Sequence, residues 1–108
     1  MPQENRKHER VAVMLDVVWD KVSGNYCART SDIGLGGCYI DTIGEAAVGE
    51  RIYFKLHLPW GPWIDLQGVV VYRFPSAGFG VRFTDLPEET RLLLKQLLTY
   101  ANQHRMVS

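Results

Sequence analysis

A chain of 108 residues fits one domain, long enough to bury a core without metals or disulfides. Twelve basic residues balance twelve acidic ones and 46% of the residues are apolar, the profile of a soluble globular protein rather than of a general nucleic-acid binder. The polar Met-Pro-Gln-Glu-Asn-Arg start has no apolar leader segment. No run approaches the roughly 18 apolar residues of a membrane span, so the expected location is cytoplasmic. Cys27 and Cys38 form no Cys-x-x-Cys and are expected as free thiols, facing each other only if their strands pair.

In chain order, residues 1–10 read as a flexible arm with Arg6 and Arg10 four apart. From Val11 to Asp20 the pattern alternates, with Val11, Val13, Leu15, Val17 and Trp19 on the inward face of a first strand. Val22-Ser23-Gly24-Asn25 reads as a turn. Tyr26 to Ser31 forms a second strand, with Tyr26, Ala28 and Thr30 on one side. A glycine turn follows, then a third strand with Cys38, Ile40 and Thr42 on one face. Beyond the loop Gly44 to Gly49, Ile52, Phe54, Leu56 and Leu58 mark a fourth strand. Pro59-Trp60-Gly61-Pro62-Trp63 is a turn in which Trp60 either folds over the barrel end or offers a contact.

The fifth strand runs from Trp63 to Phe74, and Gly68 suggests a bulge that turns Val69 and Val71 inward and Val70 and Tyr72 outward. Pro75 to Gly78 turns the chain into a sixth strand, with Phe79, Val81 and Phe83 inward and Gly80 and Arg82 outward. Asp85, Pro87 and Glu88 read as helix-start signals, and leucines at helical spacing predict an amphipathic helix over 86–102. Residues 103–108 are expected to be a disordered tail. The fold class expected over 11–102 is therefore all-β with one helix: a six-stranded antiparallel barrel plus a C-terminal α-helix.

The chemistry concentrates at Ser31-Asp32-Ile33-Gly34-Leu35-Gly36-Gly37-Cys38-Tyr39-Ile40. Glycines permit tight turns and close approach to the backbone, and an acid beside them suits a donor-rich edge such as that of guanine. Two arginines on an arm suit phosphate or guanine O6 and N7, and an outward Tyr72 offers a face on which a base can stack. An enzyme is not expected. His8, His57 and His104 are scattered, and no His-Glu-x-x-His, Gly-x-Ser-x-Gly or phosphate-loop motif occurs. Gly78-Phe79-Gly80 lacks the third glycine of a nucleotide fingerprint, and neither metal nor cofactor is expected.

Together these residues resemble the PilZ family, the bacterial receptor module for cyclic di-GMP. Arg6-Lys7-His8-Glu9-Arg10 is similar to the family's Arg-x-x-x-Arg, and Asp32-Ile33-Gly34-Leu35-Gly36-Gly37 to its Asp/Asn-x-Ser-x-x-Gly. Gly78 to Phe83 ahead of a helix resembles its last strand, so the likeness covers nearly the whole chain. The resemblance implies that Arg6 and Arg10 bind the phosphates and guanine faces of cyclic di-GMP. Asp32, Gly34 and Gly37 would complete the pocket, and Tyr72 would stack a base. It also implies split-barrel topology, an arm that orders on binding, and a protein partner that reads the change.

Two departures stand out. Gly34 replaces the motif's serine, and Asn5 stands where many relatives carry a basic residue. With an exposed Trp60, they motivate the alternative of a PilZ-like module in motility or pilus assembly that binds protein and no nucleotide.

Overall fold

A computed structural model of the chain describes residues 10–21 and 24–105. Residues 1–9, expected as an arm and including Arg6, residues 22–23, expected in the first turn, and residues 106–108 lie outside the described residues.

The strands are β1 (Val11–Ala12), β2 (Asp16–Lys21), β3 (Gly24–Ile33), β4 (Gly37–Asp41), β5 (Arg51–His57), β6 (Trp63–Phe74) and β7 (Gly78–Phe83). The helix α1 spans Glu88–Arg105. All pairings are antiparallel, in the order β1-β3-β2-β5-β6-β7-β4, and β4 returns to pair with β3. That last pairing closes the barrel and leaves the sheet without a long free edge. β1 and β2 are one expected strand broken in the middle, so the architecture is the six-stranded barrel with a C-terminal helix read from the sequence.

The break has a local cause. Thr30 is fully buried, and its hydroxyl accepts from Leu15 N at 3.0 Å while donating to Val13 O at 2.7 Å. The side chain thus stands in for ladder bonds where Met14 turns out to solvent. Opposite, the β3–β4 register shifts between Thr30 and Asp32, so Ser31 is an extra residue.

Alternation supplies the core. Val17, Trp19, Ile33, Cys38, Ile40, Ile52, Leu56, Val70, Phe79 and Val81 are all fully buried. Trp19 stacks on Tyr26 with centroids 4.5 Å apart, meets the edge of Phe79 at 5.0 Å, and donates from Nε1 to Thr42 Oγ1 at 3.3 Å. Leu94, Leu97 and Ala101 bring the apolar stripe of α1 onto this core.

Several expectations are corrected. In β6 the inward residues are Ile64, Leu66, Gly68 and Val70, an unbroken parity. Val70 is 1% exposed and Val71 41%, the reverse of the expected directions. Gly68 marks no bulge; a Cβ there would meet Val81 Cγ1 at 2.4 Å and Arg82 O at 2.5 Å, so it lets β6 and β7 approach. The bulge lies at Val71, where the register shifts between Val70 and Tyr72.

The helix starts at Glu88 rather than 86: Leu86 precedes Pro87 and is pushed from the helical region, and Arg91 N donates to Pro87 O at 2.9 Å at the helix start. It also runs on to Arg105 rather than 102. Gly24 and Asn25 belong to β3 rather than to the turn. Cys27 is exposed opposite Val18, and Cys38 is buried opposite Ile33, so the thiols do not face each other.

Candidate functional site

The two bulges decide which side chains reach the outer surface together. In β3, Tyr26, Ala28 and Thr30 point in, and unbroken alternation would send Asp32 in as well. The extra Ser31 reverses the parity, so Ile33 is buried and Asp32 points out. In β6 the extra Val71 does the same, turning Tyr72 out after Val70 has pointed in.

The registers then align these residues. Ala12 pairs with Asp32, Asp32 with Tyr39, Tyr39 with Gly80, and Gly80 with Tyr72. This is one transverse row across β1, β3, β4, β7 and β6. From Asp32 to Tyr72 it spans three strand spacings, about 14 Å.

At the acidic end Arg10 donates from a terminal guanidinium nitrogen to Asp32 Oδ1. Burial opposes the charge on Arg10, but the hydrogen bond and charge of Asp32 outweigh it and raise its pKa, with smaller contributions from Tyr72 and Cys38. Both partners remain more than a third exposed, so the pair is open to an incoming ligand.

At the other end the rings of Tyr39 and Tyr72 lie near-parallel with centroids 6.1 Å apart, and Phe74 meets Tyr72 edge-on at 5.8 Å. Tyr72 and Phe74 are 41% and 57% exposed, an aromatic shelf open to solvent. The Tyr39 hydroxyl donates to Ala77 O at 2.9 Å, and burial, then the Asp41 carboxylate, raises its pKa. Tyr39 lies in the stretch singled out from the sequence, with no role given to it there. Its signal was an aromatic at the outward position between inward Cys38 and Ile40.

The glycine turn sits beside the acid. Gly34 N donates to Gly37 O at 2.9 Å, and Phe83 N donates to Gly36 O at 2.9 Å, tying the turn to β7. A Cβ on Gly37 would stand 2.1 Å from Val81 O, so this glycine is required by the approach of β4 to β7. Gly34 is buried within the turn. Of the residues expected at the site, Arg10, Asp32, Gly34, Gly37 and Tyr72 therefore share one outer face of the barrel. Arg6 lies outside the described residues.

A family model described as "PilZ domain" matches residues 4–100. The chain belongs to the PilZ family. Among solved structures, this PilZ domain is similar to that of YcgR from Escherichia coli with c-di-GMP, at 12% identity and a TM-score of 0.79, covering 94% of this chain and 95% of that one. It is also similar to the Bacillus subtilis inhibitor of motility MotI/DgrA, at 17% identity and a TM-score of 0.78, covering 98% of this chain and 56% of the other. A third likeness, to the PilZ domain of CeSA from a cellulose-synthesizing bacterium, has 15% identity and a TM-score of 0.64, covering 82% of this chain and 93% of that one. The domain spans only 47% of the longer YcgR chain solved in complex with c-di-GMP, which it matches at 16% identity and a TM-score of 0.78. Curated protein sequences give no match.

Among the described residues no helix is long and apolar enough to cross a membrane, and no group of three His, Cys, Asp or Glu side chains is arranged to hold a metal ion.

Proposed function

We propose that this PilZ domain is a receptor for cyclic di-GMP. The observation that carries the reading is the row in which Asp32, with Arg10 bonded to it, is aligned with the Tyr39–Tyr72 shelf. An acid accepts from the N1 and N2 donors of guanine, an arginine meets phosphate or the O6/N7 edge, and an aromatic face stacks a base. The three functions sit within about 14 Å along the row, the scale of a cyclic dinucleotide. That a relative of the same fold was solved with c-di-GMP supports the choice of ligand.

In this reading Arg6 and Arg10 close over the ligand's two phosphates, and ordering of the arm changes the surface offered to a cytoplasmic protein partner. Gly34 supplies no hydroxyl, which costs about 1 kcal/mol of binding, roughly fivefold in affinity. Calorimetric titration of the folded protein with cyclic di-GMP tests the reading. Saturable heat is expected, and absence of heat at high micromolar ligand removes it.

A second reading, a protein-binding module without nucleotide, draws on the turn after β5. Trp60 and Trp63 remain 44% and 46% exposed there, with Trp60 edge-on to Tyr100 of α1 at 6.1 Å. A partner captured equally by wild type and by an Arg6→Ala/Arg10→Ala double variant, with and without cyclic di-GMP, would favour it.

A further inference from the structure

Arg82 is carried on β7 between two buried residues, Val81 and Phe83, so its side chain points to the outer face, where it is exposed. It stands in register with Gly37 on one side and Val69 on the other. Continuing the β1–β3 register by one residue sets Arg10 opposite Gly34, and Gly34 is bonded to Gly37. A second outward row therefore runs Arg10, Gly34, Gly37, Arg82, separated from the row of Asp32, Tyr39, Gly80 and Tyr72 by the inward-facing Ile33, Cys38 and Val81. Its two middle members have no side chains, and an arginine stands at each end, three strand spacings or about 14 Å apart at the backbone. Two long side chains leaning inward over a bare floor can converge on one small dianion.

The backbone under Arg82 is held on three sides. Gly37 and Gly68 let the neighbouring strands approach so closely that a Cβ at either would strike the Val81–Arg82 backbone or the Val81 side chain. The next residue, Phe83, donates to Gly36 O of the glycine turn. The side chain itself enters no ion pair among the described residues, whereas Arg10, Arg29, Arg51 and Arg73 each lie within 4.0 Å of a carboxylate. A guanidinium that is exposed and has no ion pair among the described residues, on a fixed backbone, is poised for an anion from outside.

We propose that Arg82 is a second fixed cation of this site, binding a phosphate of the ligand across the glycine floor from Arg10. The proposal rests on the cyclic di-GMP reading and adds to it a residue outside both arginine and glycine motifs.

The test is titration of cyclic di-GMP into wild type, Arg82→Gln and Arg82→Lys at several salt concentrations, with a thermal melt of each. Arg82→Gln is expected to melt like wild type, since the side chain is exposed and enters no ion pair among the described residues. It should bind at least tenfold more weakly and show a shallower dependence of affinity on salt, because one charge no longer faces the phosphates. Arg82→Lys should recover part of the affinity and the wild-type salt dependence. Wild-type binding with Arg82→Gln within twofold and the same salt dependence would overturn the role of Arg82 while leaving the receptor reading intact. Absence of binding by wild type would overturn both.

Discussion

The ring of Tyr72 lies over the bare α-carbon of Gly80. A Cβ built on Gly80 would stand 2.4 Å from Tyr72 Cζ and 2.8 Å from its hydroxyl oxygen. The aromatic shelf is therefore seated by a missing side chain on the neighbouring strand, which explains why Gly80 is buried although it faces outward. Gly80→Ala is expected to push the ring off its seat with little effect on the fold, because the clash is with the far end of a side chain. Loss of an ordered stacking face, worth about 1–3 kcal/mol per base, should weaken cyclic di-GMP binding by about tenfold. Calorimetry beside a thermal melt checks this; unchanged affinity would mean the shelf takes no base.

Gly37→Ala should behave in the opposite way. Its Cβ would meet backbone, Val81 O at 2.1 Å, which no rotamer change relieves. A destabilisation of about 1–3 kcal/mol is expected, lowering the melting temperature by about 4–8 °C for each kcal/mol. A wild-type melt would show that β4 and β7 can part without cost.

Arg10→Ala separates binding from stability. The Arg10–Asp32 pair is exposed on both sides, so its loss should change unfolding free energy by less than about 1 kcal/mol. Removing a charge-assisted contact to the ligand should cost about 1.5–3 kcal/mol, roughly ten- to hundredfold in affinity. Urea unfolding and calorimetry on the same preparation measure the two effects, and an unaltered affinity would remove Arg10 from the site.

Thr30→Val keeps the shape and deletes the hydroxyl that spans the break between β1 and β2. Leu15 N and Val13 O would lose their partner in a buried setting. The expected cost is about 1–3 kcal/mol, seen as a lower urea midpoint. An unchanged midpoint would show that the interrupted strand is held by other contacts.

The two cysteines should respond differently to alkali and to thiol reagents. Burial pushes Cys38 from 9.0 up to about 12, while Cys27 is exposed. In the folded protein a thiol reagent is expected to label Cys27 quickly and Cys38 only on unfolding. Because the unfolded chain releases the Cys38 proton near pH 9 and the folded chain keeps it to about 12, the unfolded state binds fewer protons between these values. Stability from this group is complete below pH 9 and falls as pH rises toward 12. Cys38→Ala should flatten that decline, and an identical alkaline slope would assign it to other groups.

Much of this molecule follows from the chain read residue by residue. Alternation has a period of two and is local, so the inward faces of Val17 and Trp19, of Ile52, Phe54 and Leu56, and of Phe79 and Val81 were legible directly. The leucine spacing of the helix was too, as was the nearness of an arginine pair to a glycine turn that identified the family. What local pattern does not carry is a change of count. Ser31 and Val71 are ordinary strand residues, and nothing in either marks it as the extra one; each is surplus only relative to a partner strand with one residue fewer. That relation arises when β3 meets β4 and β6 meets β7; it turns Asp32 outward, gives Tyr72 its expected outward direction through a bulge at Val71 rather than Gly68, and sets both in one row. The same holds for Gly37, Gly68 and Gly80, whose reasons are neighbours on other strands, and for Arg82, which reaches the glycine floor only once the barrel has closed. The sequence by itself determined the elements and their faces, because those depend on neighbours along the chain. Only the tertiary structure decided which outward residues stand side by side, because that depends on register between strands far apart in the chain.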